Sequence, residues 1–173
     1  MKLAFSGLSG RLGQAFLSCL PDYPQHEVIF GLGRTPDPKS KLPIFSNFTK
    51  VKTPVDVLID FSSPEFFLAC LHECPTTLKA IISGTTGFTP MQLSELQTVA
   101  KNKFVFHANN FSIGIFALIK SIQSIGGLLQ DWEVLIQDIH HAQKRDAPSG
   151  TAKWMLQTLK DAGGAPSPRM ESL

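Results

Sequence analysis

The sequence predicts an α/β fold in which a parallel sheet carries helices on both faces and a smaller α+β unit follows. Short apolar runs alternate with longer segments of helical period, a rhythm typical of βαβ units. A glycine-rich turn follows the first apolar run, and after residue 111 the pattern changes to one long apolar helix. These observations divide the chain into domains at residues 1–111 and 112–173.

The predicted elements follow one another along the chain. Apolar runs predict strands at residues 2–6, 27–32, 55–61, 78–83 and 103–108, and helical spacing predicts helices at 11–20, 64–74 and 90–102. Residues 33–54 contain several prolines and predict a loop around a short strand. In the second domain we expect a helix at 113–129, an alternating strand at 132–139, a helix that ends near 162 and a loop-like tail.

Composition and charge exclude several classes of protein. The 173 residues are 43% hydrophobic and 17% charged, as in soluble globular proteins. The net charge is only +2 and no basic run interleaves with aromatic residues, so we expect no nucleic-acid partner. No apolar stretch approaches the length of a membrane span, and three scattered cysteines indicate reduced thiols, so we expect a cytoplasmic protein without membrane contact.

A glycine-rich turn follows the first predicted strand. Residues 7–13 have the sequence GLSGRLG, placed where the strand would turn into a helix. Gly7 permits the tight turn, Gly10 allows the backbone to approach a pyrophosphate, and Gly13 allows the helix to pack closely on the sheet. This arrangement predicts a Rossmann-type dinucleotide-binding turn, although glycine-rich turns also close βα units that bind nothing.

The residues after the second strand indicate which dinucleotide is preferred. A carboxylate there would hold the ribose 2′-hydroxyl of NAD, but the sequence has Gly33 and Arg34 instead. Because Arg34 would pair with a 2′-phosphate and no carboxylate would repel it, we expect NADPH to be preferred, with NADH as a second cofactor. The alternative is that Arg34 is a solvated cation of the loop.

Later strands end in polar turns. The segments are DFSSP at residues 60–64, GTTGF at 84–88 and HANNFSIG at 107–114. Ligands of open parallel sheets lie beyond the carboxyl ends of the strands, so we expect these loops to converge on the crevice that Gly7 borders. The same residue types also occur in ordinary turns.

The stretch HHAQKRDAPSGTA, residues 140–152, concentrates titratable groups before a helix. Its proline and glycine predict a loop that leads into a helix N-terminus, with Ser149 as the N-cap. The backbone amides of Gly150 and Thr151 would then face outwards at the positive end of the helix dipole, where a substrate carboxylate can bind. Lys144 would add a mobile cation for the same anion.

Two adjacent histidines open this stretch. His140 and His141 supply imidazoles suited to proton transfer near neutral pH. Asp138 could complete a zinc site with them, but adjacent histidines on an extended chain point to opposite sides and no common zinc motif is present, so we expect no metal. Two surface histidines on a loop are the remaining alternative.

Taken together, these motifs resemble the dihydrodipicolinate reductase family of lysine and diaminopimelate biosynthesis over nearly the whole chain. The resemblance rests on GxxGRLG at 7–13, DFS at 60–62, GTTG at 84–87, NFSIG at 110–114 and HHxxKxDAPSGTA at 140–152. The last run is the most specific. The resemblance implies an NAD(P)H-dependent oxidoreductase that reduces a cyclic imine dicarboxylate to tetrahydrodipicolinate.

The resemblance also implies roles for individual residues. His140 corresponds to the family's catalytic proton donor and acceptor, Lys144 to a second proton donor, and His141 to a substrate contact. Gly150 and Thr151 correspond to the carboxylate-binding turn. The positions that correspond to cofactor contacts are Gly7, Leu8, Ser9, Gly10, Arg11, Leu12, Arg34, Gly84, Thr85, Thr86, Ala108, Asn109, Asn110 and Phe111. Residues 112–173 would then be a partial substrate-binding and oligomerisation domain, and the implied partners are a small dicarboxylate and further copies of the chain in a homotetramer.

The sequence departs from the family at its end. It stops at RMESL, about where family members have an RxGxxxGxH segment and further strands. A strand at 134–139 without partners would expose its edges and apolar surface. Two interpretations stay open, a C-terminally truncated chain or a short protein that covers these edges by self-association. Two further hypotheses are an NADP(H)-binding remnant without turnover and an unrelated NADP-dependent oxidoreductase.

Overall fold

The computed structural model describes residues 1–35, 40–140 and 148–172. The chain folds as two compact units, Met1–Ala108 and Asn109–Leu173. Within the described residues, no helix is both long enough and apolar enough to cross a bilayer.

The larger unit is built on a sheet of six parallel strands. These are β1 (Lys2–Ser6), β2 (Glu27–Leu32), β3 (Ile44–Phe45), β4 (Val57–Asp60), β5 (Ala80–Ser83) and β6 (Phe104–His107). Their spatial order is β3-β2-β1-β4-β5-β6, the order of a Rossmann sheet. The connecting helices are α1 (Arg11–Cys19), α2 (Pro64–His72) and α3 (Pro90–Ala100). The predicted α/β fold is confirmed, and the short strand expected between residues 33 and 54 is β3.

Both faces of this sheet are covered, because successive strand residues feed different hydrophobic cores. On one face Phe5 of β1 packs against Phe16 of α1, with ring centroids 5.1 Å apart. On the other face Ala4 belongs to a core that includes Phe67 of α2 and Leu96 of α3. Burial on both faces explains why the strands appear in the sequence as continuous apolar runs rather than alternating ones.

Within residues 109–140 and 148–172, the smaller unit has two α-helices and two strands. They are α4 (Ile113–Ile125), β7 (Leu135–Asp138), α5 (Gly150–Asp161) and β8 (Arg169–Ser172). The helices begin at serine N-caps: Ser112 accepts a hydrogen bond from the Ile115 amide at 3.4 Å, and Ser149 accepts one from the Ala152 amide at 3.1 Å. The prediction of Ser149 as an N-cap is therefore confirmed.

One expectation for this unit is wrong, and another is refined. The tail is not all loop, because residues Arg169–Ser172 form β8 and pair in parallel with β7 from Leu135 to Asp138. The β7 strand therefore has one paired edge, where the sequence predicted none. The helix expected at 113–129 is α-helical only to Ile125 and continues as a 3₁₀ turn at Gly126–Leu129.

Candidate functional site

The β1–α1 turn brings the backbone of two loops into direct contact. Gly7 has a φ of +83°, in the left-handed region that favours glycine. A Cβ atom there would also lie 2.3 Å from the carbonyl oxygen of Phe61, in the loop after β4. A Cβ on Gly13 would lie 2.4 Å from the carbonyl oxygen of Leu8, so this glycine lets α1 pack closely against the turn. Both positions require glycine for reasons of space.

The N-terminus of α1 is open to an anion. Its N-cap is the exposed Gly10, which offers no side chain to the first amides of the helix, and the first turn contains no acidic residue. The amides of Arg11 and Leu12 are among the first-turn groups that have no partner within a helix. Such a helix end is an anion-binding site, because the free amides and the helix dipole both favour negative charge.

A cavity of about 290 Å³ lies at this helix end, within the larger unit. It is lined by Gly7, Ser9 and Gly10 of the turn, by Arg34 after β2, and by the loop at 61–63 after β4. Arg34 is exposed, and among the described residues no carboxylate pairs with it. The structure thus brings together four of the predicted cofactor residues.

The other predicted cofactor residues of the glycine turn lie elsewhere. Leu8 is 1% exposed and belongs to the core on the α1 face of the sheet, and a Cβ on Gly31 would lie 2.9 Å from its side chain. Arg11 and Leu12 are exposed on the first turn of α1. The backbone amides of Arg11 and Leu12 lie at the helix end, where a phosphate can bind.

A buried carboxylate, Asp60, ties together the loops beyond β4 and β5. It ends β4 and is fully buried. It accepts hydrogen bonds from the hydroxyls of Ser62 at 2.5 Å, Thr85 at 2.6 Å and Ser83 at 2.8 Å. Thr85 in turn accepts a hydrogen bond from the Ser62 amide at 2.9 Å. These three hydroxyls therefore donate to a carboxylate inside the protein, while Ser62 also lines the cavity.

The electrostatics of Asp60 follow from this environment. Burial raises the pKa of the Asp60 carboxyl above its ordinary value, and the hydrogen bonds from Ser62, Thr85 and Ser83 offset only part of the effect. The register of the sheet places Asp60 between Ser6 of β1 and Ser83 of β5, so the ends of these three strands form a row of polar residues. This row was not predicted from the sequence.

The predicted cofactor residues after β5 support the cavity wall. A Cβ on Gly84 would lie 2.2 Å from the ring of Phe61, so the absence of a side chain there makes room for this ring. The carbonyl oxygen of Thr85 lies 2.9 Å from Nε2 of His107 at the end of β6. Thr86 is exposed. Among the described lining residues of the cavity, Phe61 is present while Gly84, Thr85 and Thr86 are not.

In the smaller unit, one carboxylate holds both ends of the predicted substrate loop. Asp138 ends β7 and is 8% exposed. Its Oδ1 lies 2.7 Å from Nε2 of His140 and accepts a hydrogen bond from the Ser149 hydroxyl at 2.8 Å. Its Oδ2 accepts a hydrogen bond from the Ser149 amide at 2.6 Å. Asp138 therefore joins the predicted proton donor to the N-cap of α5.

This carboxylate differs electrostatically from Asp60. Burial raises the pKa of the Asp138 carboxyl, but the hydrogen bonds from the Ser149 amide and hydroxyl and from His140 together bring the pKa below its ordinary value. Asp138 is therefore ionised at neutral pH. Its role was not predicted from the sequence, where it was considered only as a zinc ligand.

The N-terminus of α5 is the second open helix end. Gly150 begins the helix, is exposed, and has no atom within 4 Å of the position a Cβ would take. Thr151 follows it, and its hydroxyl accepts a hydrogen bond from the side-chain amide of Asn110 at 3.0 Å. Asn110 also accepts a hydrogen bond from the Ser112 amide at 2.8 Å. A predicted cofactor residue and a predicted substrate residue are thus in direct contact.

The remaining predicted site residues are placed as follows. The amide of Ala108 donates to the carbonyl of Ser83 at 3.1 Å, and Asn109 and Phe111 are exposed. His141 and Lys144 lie outside the described residues. Of the three zinc ligands considered, Asp138 and His140 bond to each other, and the described residues contain no group of three metal-ligating side chains.

Comparison with known families matches both parts of the chain. The family model described as "Dihydrodipicolinate reductase, N-terminus" matches residues 1–111. The model described as "Dihydrodipicolinate reductase, C-terminus" matches residues 114–172. The boundary between the two matches lies close to the boundary of the compact units after Ala108.

Individual relatives point the same way. The chain is 32% identical over 162 residues to a 4-hydroxy-tetrahydrodipicolinate reductase of Clostridium novyi (strain NT), covering 93% of this chain and 64% of that one. It is 34% identical over 171 residues to the enzyme of the same name from Stenotrophomonas maltophilia (strain R551-3), covering 96% and 72%. A solved structure, dipicolinate-bound dihydrodipicolinate reductase from Paenisporosarcina sp. TG-14, has a TM-score of 0.73 at 25% identity and covers 100% of this chain and 78% of that one.

Proposed function

Because the chain belongs to the dihydrodipicolinate reductase family, we propose that it reduces a dihydrodipicolinate-type cyclic imine dicarboxylate to tetrahydrodipicolinate with NAD(P)H, in lysine and diaminopimelate biosynthesis. The observation that carries the proposal is the position of Asp138. One buried carboxylate holds both His140 and the N-cap of α5, so a proton donor and an anion-binding helix end share one anchor.

The larger unit would hold the dinucleotide. Its residues fit the group, since the open N-terminus of α1 and the bare backbone of Gly10 suit a pyrophosphate in the cavity that Gly7 and Arg34 also line. When bound, a reduced nicotinamide supplies the hydride. The Asp60 network would keep the loops after β4 and β5 in place around it.

Arg34 would select NADPH over NADH. It is exposed at the cavity, and among the described residues no carboxylate neutralises it. A guanidinium on a 2′-phosphate forms charge-assisted hydrogen bonds, so Arg34→Ala should raise the Kd of NADPH about tenfold and change that of NADH by less than about twofold. An equal effect on both cofactors, measured by titration of each, would assign Arg34 to general phosphate attraction.

The smaller unit would hold the substrate. The amides of Gly150 and Thr151 at the N-terminus of α5 suit one carboxylate, and we assign Lys144 to the second carboxylate and to proton donation, with His141 as a further substrate contact. Holding two carboxylates fixes the ring relative to His140, and such orientation lowers the barrier without new chemistry.

His140 would be the acid that protonates the ring carbon next to the one that receives hydride. Its side chain is 36% exposed, so it is accessible to a substrate, while Asp138 holds one edge of the ring. The variant His140→Gln should therefore lower kcat by about 100-fold and change substrate affinity much less. A raised KM with unchanged kcat would instead assign His140 to binding.

The test of the reaction is oxidation of NADPH by the purified chain with freshly generated dihydrodipicolinate synthase product, followed by absorbance at several protein concentrations. Substrate-dependent oxidation supports the reductase, and His140→Gln is the matched control because it should keep NADPH binding. Clear NADPH binding without oxidation would support the alternative, an NADP(H)-binding protein of this family without turnover. The chain spans 64% of the Clostridium relative's length, so this alternative is tested on the chain itself.

Self-association and a cytoplasmic location complete the proposal. Several large apolar side chains of the smaller unit are exposed, among them Ile113 at 85%, Leu128 at 77% and Trp132 at 66%. Burial of such side chains against further copies of the chain would remove this apolar surface from water, which supports a homo-oligomer, with the tetramer as the expected state. Sedimentation at several concentrations tests it, and activity that rises faster than linearly with protein would link assembly to turnover.

A further inference from the structure

We propose that Asp138 is a positioning residue that fixes the tautomer of His140, so that the proton passed to the substrate leaves from Nδ1 of this histidine. The inference rests on the proposed function for its chemistry. It rests on the hydrogen bonds of Asp138 for its geometry, and these can be tested whether or not the chain turns over.

The hydrogen bond between Asp138 and His140 determines which nitrogen of the imidazole carries a hydrogen. An ionised carboxylate accepts hydrogen bonds and donates none, so the imidazole nitrogen 2.7 Å from it must carry a hydrogen. That nitrogen is Nε2 of His140. In the neutral histidine the Nδ1 atom is therefore the bare nitrogen, and in the protonated histidine Nδ1–H is the hydrogen that can be given away.

The Asp138 carboxylate is held in place by groups other than His140. Asp138 ends β7, which β8 holds in register, and the Ser149 amide and hydroxyl fix both carboxylate oxygens at 2.6 and 2.8 Å. Ser149 is itself held as the N-cap of α5 by the Ala152 amide. The orientation of the His140 ring is thus set by a strand end and a helix end.

The opposite edge of the His140 ring is accessible. The His140 side chain is 36% exposed, and within residues 1–35, 40–140 and 148–172 Asp138 is its one hydrogen-bond partner. In the proposed transfer, the Nδ1–H bond of His140 breaks, and its electron pair stays on Nδ1. The proton forms a C–H bond with the substrate carbon, and the π electrons of the substrate ring supply the pair for this bond. The neutral histidine that remains still donates Nε2–H to Asp138.

The substitution Asp138→Asn places a hydrogen-bond donor opposite Nε2 of His140, where Asp138 places an acceptor. Only an oxygen can accept from the Ser149 amide, so the asparagine oxygen takes the place of Oδ2 and its NH₂ group faces His140 and the Ser149 hydroxyl. An NH₂ group donates, so Nε2 must become the bare nitrogen and Nδ1 carry the hydrogen. We expect kcat to fall about 100-fold while the affinity for dipicolinate, used as an unreactive dicarboxylate, changes less than about threefold.

The direct readout is nuclear magnetic resonance of nitrogen-labelled histidine, which distinguishes protonated from bare ring nitrogens. His140 is assigned by comparison with His140→Gln. We expect the Nε2–H tautomer in the unsubstituted chain and the Nδ1–H tautomer in Asp138→Asn. Ser149→Ala is the matched control, since it removes a hydroxyl from Asp138 but leaves Oδ1 facing Nε2, and it should keep the Nε2–H tautomer.

The outcomes separate this inference from the proposed function. An Nδ1–H tautomer in the unsubstituted chain overturns the inference, even where Asp138→Asn does not fold. An unchanged tautomer in Asp138→Asn also overturns it. The expected tautomers without reductase activity support the positioning of His140 and reject the reaction.

Discussion

Asp60 and Asp138 occupy the same position in two different sheets. Each is the last residue of a strand, each is buried, and each accepts three hydrogen bonds from the described residues. Their donors differ, because Asp60 meets three hydroxyls whereas Asp138 meets a backbone amide, a hydroxyl and an imidazole. Burial raises the pKa of Asp60, and hydrogen bonds lower the pKa of Asp138 despite burial. Burial thus outweighs the hydrogen bonds at Asp60, which is 0% exposed, whereas the hydrogen bonds outweigh burial at Asp138, which is 8% exposed.

This difference separates structural from chemical use of the same residue type. Asp60 holds loops together through neutral hydroxyls, so its contribution is to the stability and shape of the larger unit. Asp138 presents a charge to His140, the contact on which the proposed proton transfer depends.

The largest expected effect comes from removing the Asp60 carboxylate. Asp60→Ala removes the acceptor of the buried Ser83 and Thr85 hydroxyls and of the half-buried Ser62 hydroxyl. We expect the free energy of unfolding in urea to fall by about 3 kcal/mol or more and NADPH binding to weaken. The matched control is Asp56→Ala in the same unit, which removes an ion pair with the exposed Lys79 and the acceptor of the Lys2 amide and should cost less. Equal losses would show that the Asp60 network adds nothing specific.

The turn beside Asp60 gives the next largest effect. Gly7→Ala would place a Cβ 2.3 Å from the Phe61 carbonyl oxygen at a φ of +83°, and we expect a loss of about 3 kcal/mol in urea unfolding. Gly87 has a φ of +85° and no atom within 4 Å of a Cβ, so Gly87→Ala isolates the backbone cost, about 1 kcal/mol. A similar loss in both variants would contradict the steric part of the argument.

The anchor of Asp138 is tested by a smaller change in the other unit. Ser149→Ala removes the N-cap of α5 and a hydroxyl donor to Asp138, and we expect a loss of about 1–2 kcal/mol. Ser112→Ala removes the N-cap of α4 without a carboxylate partner and should cost about 0.5–1 kcal/mol. Thermal or urea unfolding of both variants measures the difference, which vanishes if Asp138 gains nothing from Ser149.

The smallest effect, a difference in slope, tests the comparison itself. The pKa of Asp60 is raised above 3.8, so its stabilising contribution is complete below that pH and is lost as the pH rises through the folded-state pKa. The pKa of Asp138 is lowered below 3.8, so its contribution is complete above that pH and is lost on acidification. Relative to the unsubstituted chain, the stability of Asp60→Asn should therefore improve as the pH rises, and that of Asp138→Asn as it falls. Urea midpoints over a pH series measure both, and slopes of the same sign would contradict the assignment.

The sequence predicted those features that depend on local patterns. Strands buried on both faces appear as apolar runs. A capping serine such as Ser149 is predicted by its place just before a helical pattern. The β8 strand was not predicted because RMES has little apolar alternation and its partner β7 is distant in sequence.

The candidate site was predicted less completely than the fold. Residues 60–62 and 84–87 were expected at the same crevice. Asp60 and Thr85 are in contact, but their side chains hydrogen-bond to each other instead of facing the cavity. Whether a polar side chain faces a ligand or a neighbouring strand depends on register between strands, which one sequence does not display. The role of Asp138 as an anchor was not predicted because its partner Ser149 is eleven residues away in the sequence.

The order of the strands has a consequence for synthesis. All six strands of the larger sheet belong to the continuous segment Met1–Ala108, whereas β7 pairs with β8, which is synthesised about thirty residues later. Ribosomes deliver the N-terminal segment first, and domains fold as units during translation. The nascent chain therefore passes through a stage in which the glycine turn at residues 7–13 is complete while the second sheet still lacks a strand. A dinucleotide that binds this turn, as proposed above, would stabilise that stage.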